Sequence, residues 1–229
     1  MTESSIINNA QSFNFAYDLV DAKAALCPEK IAIKWSNNLG VNLDISFDEL
    51  RHHSDTSAWY FRKLGVKAGD KVIILLRNRF EFWLVFLAFQ KIGASAIIVD
   101  EPDVLDSFQD QIKHCKPCLV VALSESPFVE IGEQLKAKNP SIKTLVSVGN
   151  PVPRGWHDYH RGKRFAKTFI RPESIGQVQG DVFFIRNKGL IVDQYPNPLL
   201  IQKHGIVNKL DSFLYKISHD QVFVETDKT

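Results

Sequence analysis

The stretch Leu64–Asp100, LGVKAGDKVIILLRNRFEFWLVFLAFQKIGASAIIVD, holds a strand, a helix and a second strand in unbroken succession. Lys71 to Leu76 is β-branched and leucine-rich and follows the turn Ala68-Gly69-Asp70. A strand that is apolar on both faces belongs inside a parallel sheet covered by helices. Asn78 is then expected to cap a helix over Phe80–Ile92. That helix is apolar almost all round, which predicts burial on every side, and Gly93 supplies a left-handed stop before the strand Ser95–Val99. Two parallel strands need such a crossover, and its hand is right.

The same apolar run from Phe82 to Val99 has the hydropathy of a membrane span, and its composition argues against that use. Gln90 and Lys91 would sit near its centre, where a lysine costs about 2.5–3.5 kcal/mol, and Gly93 would interrupt it. Met1 to Ser12 is polar and lacks the basic start and apolar run of a secretory signal. A soluble, cytoplasmic chain with no membrane segment is expected.

A chain of 229 residues with 45% hydrophobic content can bury a large core. The formal charge of +2 creates no global field, but six Arg or Lys between Arg154 and Arg171 face only Asp158, a local +5 that leaves −3 for the remainder. A basic loop is therefore a local feature, and nucleic acid is not an expected partner of the whole protein. Three cysteines, an odd number, fit a reducing compartment better than a disulfide framework.

Taken in order, residues 1–12 read as a flexible arm and 13–229 as a single α/β domain. Ala16 to Leu26 reads as a helix ended by Cys27-Pro28, and Ile31–Trp35 and Val41–Ile45 flank a turn and make a hairpin. Ser46-Phe47-Asp48-Glu49 fits a capping box, opening a helix that runs to Leu64 with Gly65 as its left-handed cap. Beyond the central unit the alternation continues: a helix over 104–114, a strand over 118–123, a helix over 127–138 and a strand over 142–148. This is the pattern of a doubly wound, mainly parallel sheet with helices on both faces. Residues 149–180 are rich in Pro, Gly, Arg and His and read as a long basic surface loop. A strand over 181–185, an irregular piece over 186–198, a helix over 204–216 and a short strand over 221–225 complete the chain.

Several of these pieces together resemble the N-terminal part of the adenylate-forming, AMP-binding acyl-CoA synthetases. The likeness is nearest to the acetyl and medium-chain branch. It is carried by FNFAYDLVD (13–21), PEKIAIKW (28–35), ISFDEL (45–50), LGVKAGDKV (64–72), RNRFEFWLVFLAFQKIGA (77–94), VFFI (182–185) and HDQVFVETD (219–227). The resemblance implies the synthetase N-terminal fold and descent from a ligase that uses ATP, Mg and CoA. Its chemistry begins at a loop written T-S-G-T-T-G-x-P-K, in which hydroxyls and glycine N–H groups wrap the ATP phosphates. Here the corresponding chain reads IRNKGLIVDQYPNPLLIQKHG, with Gly189 as the one glycine before Gly205 and no Ser or Thr. Arg186, Asn187, Lys188, Gly189, Lys203 and His204 are what remains of that phosphate-binding region, and no catalytic residue can be assigned. The later family motifs, the adenine pocket, the ribose-binding aspartate and the catalytic lysine, find no match. The resemblance therefore implies a truncated member, inactive alone, without a bound cofactor, acting as a binding or regulatory module. The alternative is the N-terminal half of a split ligase completed by a separate chain.

Three further clusters carry candidate chemistry. Arg161, Lys163, Arg164, Lys167 and Arg171, interleaved with Phe165 and Phe169, form a possible anion-binding loop. Cys115-Lys116-Pro117-Cys118 has C-x-x-C spacing but ends a helix and opens a strand, the reverse of a thioredoxin-type pair, and a zinc site would need two more ligands. His157 and His160 lack a recognisable third ligand, so no metal is expected. Finally, Phe213, Leu214, Ile217, Val222 and Phe223 are expected to be bare, which predicts a homodimer or a hetero-partner engaging residues after about 180.

Overall fold

The computed structural model describes residues 14–99, 109–172, 182–186, 189–193 and 209–227. The arm at 1–12 lies outside these. A π-helical segment, Phe15–Asp21, is capped by Asn14, whose side chain accepts from the backbone N–H groups of Ala16 and Tyr17, and runs into α1 (Ala22–Leu26). Strands β1 (Ile31–Asn37) and β2 (Asn42–Ser46) form the expected antiparallel hairpin. Helix α2 (Phe47–Lys63) starts on the full capping box, with Ser46 accepting from the Glu49 N–H and Glu49 accepting from the Ser46 N–H. It ends where Gly65 takes a φ of 96°.

Strand β3 (Lys71–Leu75), helix α3 (Glu81–Ile92) and strand β4 (Ser95–Val99) are the unit read from the opening stretch, and the two strands pair in parallel. Every residue of α3 is buried, including Glu81, Gln90 and Lys91. Gly93 stops it with φ at 78°, a region open to glycine. The start of α3 corrects the sequence reading. Asn78 is not its cap; Phe80 holds that position without a side-chain bond, and the Asn78 carbonyl instead accepts from Trp35 Nε1 at 2.7 Å. Glu81 in the first turn supplies the negative charge that a helix N-terminus favours.

Helix α4 (Gln109–Cys115), strand β5 (Leu119–Leu123), helix α5 (Phe128–Lys138) and strand β6 (Thr144–Val148) continue the alternation. The expected start of α4 at 104 lies outside the described residues. Next come strand β7 (His157–Asp158) and helix α6 (Tyr159–Lys163), where an unbroken surface loop had been expected. Two aromatic anchors account for the difference. Trp156 and Tyr159 are buried, the first against Gly132 and the second under α2. Residues 173–181 are outside the description.

Strands β8 (Val182–Arg186) and β9 (Gly189–Asp193) form a second hairpin, so the piece expected to be irregular from Arg186 onward contains a strand. Helix α7 (Lys209–Ser218) and strand β10 (Phe223–Asp227) follow. Among the described residues the large sheet has seven strands in the order β7-β6-β5-β3-β4-β8-β9, parallel throughout except for the β8–β9 pair. A three-stranded sheet, β10-β1-β2, stands beside it. The β3-to-β4 and β5-to-β6 steps move in opposite directions across the sheet, so right-handed crossovers place α3 and α5 on opposite faces. The α3 face is the aromatic one: Phe61 of α2 lies 4.4 Å from Phe89 of α3 and 6.1 Å from Tyr159 of α6. Among the described residues no helix is long and apolar enough to cross a membrane.

Of the five side chains expected to be bare, that of Leu214 lies outside the description. Phe213, Ile217 and Phe223 are buried within their own chain, and Val222 is partly so. Trp83 of α3 covers Phe213 and Phe223, stacked on the first at 4.1 Å and edge-on to the second at 5.0 Å. The homodimer or hetero-partner predicted from those side chains loses that support.

Candidate functional site

In an open parallel sheet, ligands bind outside the carboxyl ends of the strands, where consecutive crossovers diverge. Here that point lies between β3 and β5. The β3 end turns at Arg77, a non-glycine residue with φ at 45°. Its guanidinium lies 4.7 Å over the Phe128 ring, at the start of α5. Its carbonyl accepts from Lys209 Nζ at 2.7 Å. The crevice position is thus tied down by the chain's own groups on two sides.

The phosphate-binding region inferred from sequence lies at the carboxyl end of β8, at the same edge. Its geometry is set by the β8–β9 register, in which Ile185 faces Leu190 and Arg186 faces Gly189. Only residues 187 and 188 lie between the paired strands. The backbone of 189–193 is committed to the ladder with β8, and Leu190, Ile191 and Val192 belong to that strand. Asn187, Lys188, Lys203 and His204 lie outside the described residues.

The anion-binding loop is partly built and partly dispersed. Asp158 caps α6, its Oδ1 accepting from the Arg161 N–H at 3.0 Å. Tyr159 is fully buried, and its hydroxyl meets Ser57 Oγ at 2.7 Å. Lys163 Nζ lies 3.4 Å from that hydroxyl and 4.5 Å above the ring. Burial pushes the Lys163 amine down to about 8, opposed by the negative charge of Glu81. Ser57, Tyr159 and Lys163 make a hydroxyl–hydroxyl–amine chain, but Tyr159 is sealed from solvent and the chain serves packing. Arg171 is also engaged, 2.6 Å from Asp18 and 4.8 Å over the Tyr17 ring. Arg161, Arg164 and Lys167 are exposed.

Next to α6 is a charged group that the sequence reading passed over. Glu81, buried at the start of α3, bonds Arg79 at 3.1 and 3.2 Å and lies 3.6 Å from His160 Nε2. Burial pushes its carboxyl up, and His160 and Arg79 more than offset this, so it is held below its ordinary value. At the other end of α3, Lys91 Nζ bonds Asp55 at 2.6 Å and Asp21 at 2.8 Å. The signal for both was present: Glu81 and Lys91 interrupt a helix that is otherwise apolar, and a buried charge needs a partner.

Among the described residues no three His, Cys, Asp or Glu side chains come together to hold a metal ion. His160 faces Glu81 instead. Cys27, Cys115 and Cys118 are free thiols. Burial, helped by Asp70, pushes the Cys118 thiol up to about 11, which makes it a poor nucleophile.

Comparison with known proteins agrees with this architecture. The sequence pattern described as "AMP-binding enzyme" matches residues 20–185. "Acyl-coenzyme A synthetase ACSM5, mitochondrial" from Homo sapiens is 27% identical over 167 residues, which is 68% of this chain and 28% of that protein. "Acetyl-coenzyme A synthetase, chloroplastic/glyoxysomal" from Arabidopsis thaliana is 34% identical over 110 residues, 47% of this chain and 15% of the relative. Among solved structures, an acetoacetyl-CoA synthetase from Streptomyces lividans superposes with a TM-score of 0.74 at 16% identity, covering 94% of this chain and 38% of its own. A structure described as a long-chain-fatty-acid CoA ligase from Rhodopseudomonas palustris gives 0.74 at 20% identity, covering 95% and 58%. The chain spans little more than a quarter of the human relative's length.

Proposed function

The chain belongs to the AMP-binding enzyme family, and on that premise we propose that it is an acyl-CoA synthetase-like member that does not form adenylates by itself and serves as a binding or regulatory module. One observation carries this reading: Arg186 pairs directly with Gly189, so two residues stand where a phosphate-wrapping loop would need several glycines and hydroxyls. A turn of that length cannot encircle a triphosphate. The apolar run Leu190-Ile191-Val192 that follows offers a nucleotide no side-chain donor.

The same observation weighs against a split ligase. The strand that precedes the phosphate loop is β8 of this chain, so a second chain would have to supply the loop from outside its own strand. Three free thiols support a reducing setting such as the cytoplasm.

The test is a melting curve with and without MgATP, paired with an ATP–pyrophosphate exchange assay. Ligand at a hundred times its dissociation constant stabilises a competent fold by about 2.7 kcal/mol, a readily visible shift. No shift and no exchange are expected. A clear shift at millimolar MgATP, or exchange by this chain alone, overturns the proposal.

A further inference from the structure

The fold divides the five cations of the basic loop. Lys163 and Arg171 are engaged by the chain itself, Lys163 on Tyr159 and Arg171 on Asp18 and Tyr17. Arg161, Arg164 and Lys167 stay exposed, and among the described residues none of them has an acidic side-chain partner. Phe165 and Ile170 stand beside them, 82% and 83% exposed. Past α6 the backbone from Ala166 to Pro172 has no regular structure. This segment therefore carries protruding apolar side chains and cations without acidic partners on an irregular backbone, with Arg164 5.7 Å over the Phe165 ring.

We propose that residues 161–170 dock on the surface of an anionic phospholipid bilayer. Phe165 and Ile170 enter the boundary between headgroups and acyl chains, and Arg161, Arg164 and Lys167 meet the lipid phosphates. This is a surface contact of the interfacial kind and needs no spanning helix. Charge complementarity selects an anionic partner. The apolar pair selects the bilayer among anionic partners. A nucleic acid would stack its bases on ring faces; Phe165 has such a face and Ile170 does not. An acidic protein would need a shaped, desolvated pocket for the two side chains, whereas a bilayer accepts apolar groups without shape matching.

The test is co-sedimentation of the full chain with vesicles of phosphatidylcholine alone and of phosphatidylcholine mixed with phosphatidylglycerol. Binding is expected only to the mixed vesicles and should weaken as salt rises. Neutralising the cations together, Arg161→Gln/Arg164→Gln/Lys167→Gln, should weaken it about a hundredfold. The double change Phe165→Ser/Ile170→Ser should weaken it about tenfold or more. Because all five side chains are exposed or at the surface, both variants should melt with the parent, which separates lost binding from lost folding. Equal binding to both vesicle types, no binding to either, or full retention by the Phe165→Ser/Ile170→Ser variant overturns the proposal. So does displacement of the vesicles by a single-stranded oligonucleotide at matched charge, which would make the loop a nucleic-acid contact.

Discussion

The indole Nε1 of Trp83 donates a 2.6 Å hydrogen bond to Oε2 of Glu225, 142 positions further along the chain. The bond joins α3, the helix of the large sheet, to β10, the outer strand of the small one. Glu225 is buried, and its other oxygen lies 3.9 Å from Lys209. Glu225→Ala would leave a buried indole N–H without this acceptor, which costs about 1–3 kcal/mol. A denaturant titration should show a lower midpoint. Glu225→Gln, which keeps an acceptor oxygen, should lose less.

Lys91 should be the least tolerant charged position. It is fully buried between Asp55 and Asp21, and removing it leaves two carboxylates facing each other out of water. Lys91→Met is expected to cost about 3–5 kcal/mol. The triple change Lys91→Met/Asp21→Asn/Asp55→Asn should recover much of that, as measured by thermal or chemical unfolding.

One lysine cannot satisfy two buried carboxylates equally, and Asp21 shows the result. Burial pushes its carboxyl up to about 6 from an ordinary value of 3.8, against the pull of Lys91 and with a push from Asp55. The folded chain therefore holds this proton more tightly than the unfolded one. The stability from this group is fully present below pH 3.8 and is lost as pH rises through about 6. Its size is on the order of 3 kcal/mol. In the Asp21→Asn variant this slope should vanish, so the difference between the two stability curves should change sharply over that window and be flat above it.

Gly162 should resist even the smallest side chain. A Cβ there would overlap the Tyr60 ring, whose hydroxyl donates to the Asp158 carbonyl at 3.2 Å. Gly162→Ala is expected to cost about 1–3 kcal/mol through overpacking. A variant carrying Tyr60→Leu as well should tolerate the alanine better than the parent does. Melting of the four proteins in a cycle measures the coupling.

The parts of this fold that could be read from sequence are those where one signal repeats. The β3-α3-β4 unit shows itself through two runs of β-branched residues, a helix apolar all round and a glycine at its end. The capping box at Ser46 and Glu49 was legible for a similar reason, since two residues at a set spacing do one job. By contrast, β7 and α6 rest on two single anchors, Trp156 and Tyr159, each fitted to a distant glycine or hydroxyl that no local pattern announces. Strand β9 was hidden because its apolar run reads equally as a spoiled phosphate loop and as a strand, and only the pairing of Arg186 with Gly189 decides. At the candidate site, sequence grouped the cations of the basic loop by their spacing alone and could not say which of them the fold engages. Lys163 and Arg171 are claimed by aromatic rings and by Asp18, contacts made across long separations.

The parallel pairing of β1 with β10, Ile33 beside Phe223 and Asn37 beside Asp227, imposes an order on biosynthesis. A ribosome releases the β1–β2 hairpin early, and nearly all of the large sheet follows before β10 appears. Until then the Trp83 face of α3 lacks Phe213, Phe223 and Glu225. A nascent chain would expose that aromatic patch to chaperones until Lys209–Ser218 and Phe223–Asp227 emerge and close it.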